Sequence, residues 1–174
     1  MKNWLRRIPA LFIVTAVFGM AVLSACSAKT SGEGFAIYLM KNDVPPTILP
    51  SLNYIGLDDN PLISCDDIIS YNVSNYEIKL THTAYKRISD LQVPVSGKAF
   101  VVCVDKQIIY TGAFWTPISS KSFDGITIMK PFDSPNNVIQ IGLGYPRYSF
   151  FGGYDQRSDP KIIDSLEKAG KLIR

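Results

Sequence analysis

Three cysteines, a single histidine and two adjacent aspartate pairs are the side chains of this 174-residue chain best suited to chemistry. Nucleophilic hydrolysis needs a hydroxyl or thiol, a base beside it and a third group that orients the base. His82 is the only imidazole, it is flanked by Thr81 and Thr83 at what reads as a helix start, and no Gly-x-Ser-x-Gly elbow occurs. Zinc takes three or four His, Cys or carboxylate ligands at regular spacing, which one histidine and scattered cysteines do not supply. Asp58-Asp59 and Asp66-Asp67 are paired in sequence. Neighbouring side chains point apart, however, and aspartate is a common turn and cap residue. Asp66-Asp67 follows Ser64, where negative charge suits a helix N-terminus. Phosphate loops place glycines around Lys-Ser or Lys-Thr at a strand-to-helix junction, and Ser96-Gly97-Lys98 lacks that context. The expectation is no enzyme, no metal and no cofactor. The alternative is a cell-envelope hydrolase whose carboxylates converge only in the fold.

Cys26 stands apart from the other two cysteines. Lys2, Arg6 and Arg7 begin the chain without an acidic neighbour, Ile8 to Val22 form an apolar run, and Leu23-Ser24-Ala25-Cys26 closes it. A charged start, a short apolar core and small residues before a cut mark an export signal. The run is shorter than the roughly 20 residues that span a bilayer. Leu23-Ser24-Ala25-Cys26 resembles the lipobox of bacterial lipoproteins. That resemblance implies cleavage before Cys26 and a lipid, with palmitate among its acyl chains, on the Cys26 thiol. Two or more acyl chains hold a protein stably at a membrane. In two-membrane bacteria, aspartate after the lipidated cysteine commonly retains such a protein in the inner membrane. Here that residue is Ser27, so the resemblance implies the outer membrane, or the outer face of the plasma membrane in a one-membrane host. The expected organisation is a signal peptide at 1–25, a small, polar tether at 26–34 and one extracytoplasmic domain at 35–174.

The formal charge of +3 comes from 18 basic and 15 acidic residues. Three of the basic ones lie before Cys26, so the mature chain balances and offers no basic surface to nucleic acid. Cys65 and Cys103 remain; export permits one disulfide between them, and the alternative is two separately buried thiols. Aromatic residues gather in two places. Tyr110, Phe114 and Trp115 end one apolar run, and Tyr145, Tyr148, Phe150, Phe151 and Tyr154 crowd a glycine-rich stretch with Arg147 and Arg157. Exposed rings with arginine anchor interfaces. Trp115, Tyr145, Arg147, Tyr148, Phe151 and Tyr154 are therefore the candidate binding residues, for a protein or peptide partner or, as the alternative, an envelope polysaccharide. The competing reading folds these rings back as a lid on the core.

Local patterns supply the elements that position these groups. Phe35 to Met40 reads as a strand, Val44-Pro45-Pro46 breaks it, and Ser64 to Ile69 reads as one capped helical turn. A short strand, Tyr76 to Leu80, precedes a helix capped by Thr81 or Thr83, with Ala84, Ile88 and Leu91 on one face. Lys98 to Val104 and Gln107 to Phe114 form a hairpin about Asp105-Lys106, a turn without the usual glycine. Ile126 to Met129 and Val138 to Leu143 are further strands on either side of a loop, Pro131 to Asn137. Asp159-Pro160 caps a last helix carrying Ile162, Ile163, Leu166 and Ala169 on one face. The fold class is α+β, a largely antiparallel sheet packed with two or three helices.

The strand, helix, hairpin, loop, strand order across residues 76 to 129 resembles the head of the first periplasmic domain of SecD, a subunit of the protein-export machinery. Leu80-Thr81 opens the helix, Gly97 to Asp105 is a glycine-led apolar strand ending in an aspartate turn, Gln107 to Tyr110 returns, and Phe123 to Ile128 is the last strand. The chain lacks a glycine after Asp105 and any of SecD's transmembrane helices. The resemblance implies a non-enzymatic head that contacts polypeptide.

Overall fold

The computed structural model describes residues 33–131 and 136–174. The expected signal peptide, Cys26, most of the expected tether and residues 132–135 of one loop lie outside the described residues. The domain is α+β, with one eight-stranded sheet in the order β1-β4-β5-β6-β7-β3-β2-β8. The strands are β1 Phe35–Leu39, β2 Ile68–Asn72, β3 Glu77–Leu80, β4 Lys98–Val104, β5 Gln107–Trp115, β6 Phe123–Met129, β7 Val138–Tyr145 and β8 Leu172–Ile173. The helices are α1 His82–Asp90 and α2 Pro160–Lys168, with three short 3-10 turns besides. All neighbours pair antiparallel except β5 with β6 and β2 with β8.

Thr81, not Thr83, caps α1, its hydroxyl accepting from Ala84 N at 3.3 Å. Ala84, Tyr85 and Ile88 are buried, and Leu91 packs at the C-terminal cap. Asp159 caps α2 by accepting from Lys161 N at 2.8 Å, while Ile162 and Leu166 enter the core. Ala169, expected on that buried face, is exposed where the helix has already ended. Ser64 forms one short turn with Cys65–Asp67, but Ile68 and Ile69 belong to a strand instead of a helix. Asp67 turns back to accept from Ser64 N and Ser64 Oγ, both at 2.9 Å, a capping box closed in three residues.

The sheet coils on its own core. Phe35 of β1 and Tyr71 of β2 stand almost at opposite ends of the strand order, yet their rings meet edge to face at 6.1 Å. Both helices pack into that concave side, α2 bridging β1, β4 and β8. Edge strand β1 is covered by residues 55–63, with Ile37 N donating to Ile63 O at 2.8 Å. Covering an edge removes a template for pairing with other chains. The glycine-free hairpin turn has positive φ at both Asp105 and Lys106, 51° and 64°, as a primed turn demands. Asp105 is held there by Gly34, whose N–H donates to Asp105 Oδ1 at 2.9 Å and whose carbonyl accepts from Asp105 N at 3.0 Å.

Candidate functional site

The six candidate binding residues separate into two environments. Trp115 is 1% exposed. Its ring stacks on Phe123 at 5.1 Å and 14°, and Tyr145 lies 5.8 Å away. Tyr145 is half-buried, its hydroxyl 3.1 Å from the carbonyls of both Pro117 and Ser119. These rings cover the outer face of the sheet and pin the seven residues, 116–122, that carry the chain from β5 to its parallel neighbour β6. Parallel strands usually need a dozen or more residues to connect, so this strap crosses the sheet taut and the rings fill beneath it. Trp115 and Tyr145 are structural, which corrects their assignment to a binding surface.

Beyond β7 the rings turn outward. Gly144, with φ of 69°, lets the chain fold back so closely that a Cβ there would meet Phe151 N at 2.7 Å. Gly152 N then donates to Asp124 O at 3.0 Å, fastening the loop to the start of β6. Tyr148 is 73% exposed and Tyr154 84%, while Phe150 is partly exposed. Arg147 is exposed beside them. Phe151 is half-buried against the core, its ring 6.4 Å from that of Tyr148. The loop is thus part lid, through Phe151, and part open surface.

Arg157 belongs to neither. Its guanidinium donates to Asp155 through Nε and an Nη at 2.9 and 2.8 Å and to Ile141 O at 2.8 Å, and it lies 3.6 Å from the centre of the Tyr76 ring. The Arg157 hydrogen bond holds the Asp155 carboxyl below the usual range. The pair ties the end of the loop to β7.

The two thiols are free and lie on different sides of the sheet. Successive residues of β4 alternate, so Cys103 packs on the outer face with Ala36, Tyr38 and Val101 while Val102 and Val104 face the main core. Cys65 lies by Gly34, next to α2. The permitted disulfide does not form, because strand alternation separates the two sulfurs.

Cys65 lines a cleft of about 920 Å³, together with Asp66, Asp105, Lys161, Asp164 and Lys168. Burial pushes the Cys65 thiol up, against the pull of Lys171, so it holds little nucleophilic thiolate. No residue of the aromatic loop lines this cleft. Among the described residues, no three His, Cys, Asp or Glu converge as a metal site. His82 is exposed at the start of α1. Asp58 accepts from the adjacent Asp59 N–H at 2.8 Å, and Asp59 meets Lys41 at 3.2 Å. No described helix is long and apolar enough to cross a membrane.

Sequence reasoning passed over a second exposed apolar group. Ile118 is 78% and Val95 51% exposed, and Ser119 Oγ donates to Val95 O at 2.6 Å, so the two segments adjoin. Ile48 is exposed on the short turn that packs against β4 and β5. Single isoleucines and valines in loops carry no periodic signal, and only the Ser119–Val95 contact in space brings Val95 and Ile118 together. Compared with known proteins, the chain matches no family model, no curated protein and no solved structure.

Proposed function

We propose that this protein is a lipid-anchored, extracytoplasmic accessory module that binds a protein or peptide and catalyses nothing. The lipobox at Leu23 to Cys26 supports the anchor, and the SecD-like order of residues 76 to 129 supports a polypeptide partner. The observation that carries the reading is the exposed Val95, just before β4 at the end of the sheet opposite Gly34, with the exposed Ile118 adjoining it. An anchored module offers partners the surface farthest from its anchor. The partner contact therefore moves to this group from the aromatic loop, where the sequence placed it. Of the residues suited to chemistry, Asp67 sits in a cap, Asp59 pairs with Lys41, and partial burial raises the half-buried Cys65 thiol.

Labelling cells with a palmitate analogue should mark the full chain, and Cys26→Ala should abolish the mark; a labelled variant refutes the anchor. Replacing the exposed Ile118 by Asp should reduce partner capture from detergent-solubilised membranes at least tenfold, with melting unchanged. Undiminished capture refutes the surface.

A further inference from the structure

The strand directions bring three features to one end of the sheet. β1 is antiparallel to β4 and starts beside Val104, the last residue of β4. β6 is parallel to β5 and begins at the end where β5 begins, and β7, antiparallel to β6, finishes there with Tyr145. Gly34, the Asp105-Lys106 turn and the loop carrying Tyr148, Phe150 and Tyr154 therefore share an end. Seven peptide links separate Cys26 from Glu33, which fully extended reach about 25 Å. A domain of this size has a radius of gyration of about 14 Å. A tether of that length keeps the end where it attaches close to the bilayer.

We infer that the Tyr148–Tyr154 loop docks on the phospholipid surface to which the protein is anchored, acting as a foot that orients the module. This rests on lipidation of Cys26. Tyrosine settles at the membrane–water boundary, its ring meeting acyl chain and its hydroxyl the headgroups, and phenylalanine adds a ring to the apolar side of such a contact. Ile108, 44% exposed, adds apolar surface at the same end, and the exposed Arg147 and Lys106 suit phosphate headgroups. A foot at this end turns Val95, which precedes β4 at the opposite end of the sheet, away from the bilayer.

Brominated lipids test the placement. The lipidated chain beginning at Cys26 is purified from membranes, its mass checked, and reconstituted into phosphatidylethanolamine–phosphatidylglycerol vesicles with brominated acyl chains. Tryptophan is introduced as Tyr154→Trp in one variant and, at the opposite end, as Val95→Trp in another; Trp115, shielded in the fold, gives the background. The expected result is at least twofold quenching of the Tyr154→Trp signal and none of the Val95→Trp signal. Equal quenching, or none, in protein whose mass carries the lipid overturns the foot and leaves the anchor standing. A mass without lipid overturns both. If Tyr154→Trp stays unquenched in these vesicles yet is shielded from aqueous quencher in native membranes, the loop belongs to a protein partner and the inference falls.

Discussion

Replacing Trp115 and replacing Tyr154 should have opposite consequences for stability, although both belong to the same sequence-level set of candidate binding rings. Trp115 is 1% exposed, stacked on Phe123 and pressed against Gly97, where a Cβ would lie 2.2 Å from its ring. A buried aromatic removes about 150–250 Å² from water, worth at most about 4–6 kcal/mol at 25 cal/mol per Å². Truncation to alanine, with partial collapse of the cavity, should cost about 3–5 kcal/mol. At about 2–4 °C per kcal/mol for a domain of this size, melting should fall by roughly 6–20 °C. Tyr154, 84% exposed, covers only about a sixth of its surface, so Tyr154→Ala should cost under about 1 kcal/mol. Trp115→Phe should fall between them, because it keeps the stack and removes an indole N–H buried without a partner. Thermal melting followed by far-ultraviolet circular dichroism reads all three without relying on tryptophan emission. The reasoning fails if Trp115→Ala melts within about 2 °C of the parent, or if Tyr154→Ala drops as far as Trp115→Ala.

Other perturbations probe neighbouring features. Gly97→Ala combines a φ of 79° with the Trp115 clash, so it should cost more than about 2 kcal/mol by urea titration; a neutral result would mean that the turn relaxes freely. Burial raises the Asp67 carboxyl, but hydrogen bonds from Ser64 and Arg87 outweigh it and leave the group below its ordinary value. Its stabilisation is therefore complete above the unfolded value near about pH 4 and is lost as pH falls through the lower folded value. Asp67→Ala should cost about 1–2 kcal/mol at neutral pH and flatten the acid side of the stability curve; an unchanged acid slope counts against the cap. Without denaturant, Cys103 should resist alkylation while Cys65 reacts slowly, and reducing agent should leave the melting temperature unchanged, as mass spectrometry and calorimetry can check. A large drop on reduction would mean that the thiols pair after all.

How much of this architecture was legible in the sequence depended on how local its causes were. Thr81 before the Ala84–Ile88 stripe, Asp159-Pro160 before Ile162 and Leu166, and the two apolar runs about Asp105-Lys106 each carry cap, period and turn within about ten residues. Those elements could be read directly. β2 was missed because Ile68–Asn72 does not alternate cleanly and directly follows a capped turn, so its strand character comes from pairing with β3. β8 is two residues long and exists only because Leu172 and Ile173 lie beside Tyr71 and Asn72.

The candidate site divides the same way. From the chain alone came the α+β class, which the structure shows, and the lipobox resemblance with the expectation of no reaction, which remain proposals; each depends on residue type and near-neighbour spacing. Tertiary structure decided which rings face water, since exposure depends on what a distant segment covers. The 116–122 strap lies over Trp115, whereas Gly144 turns the 147–154 loop off the sheet and leaves Tyr148 and Tyr154 open. It also separated Cys65 from Cys103, because alternation along β4 sends each side chain to a face fixed only once the strand has paired.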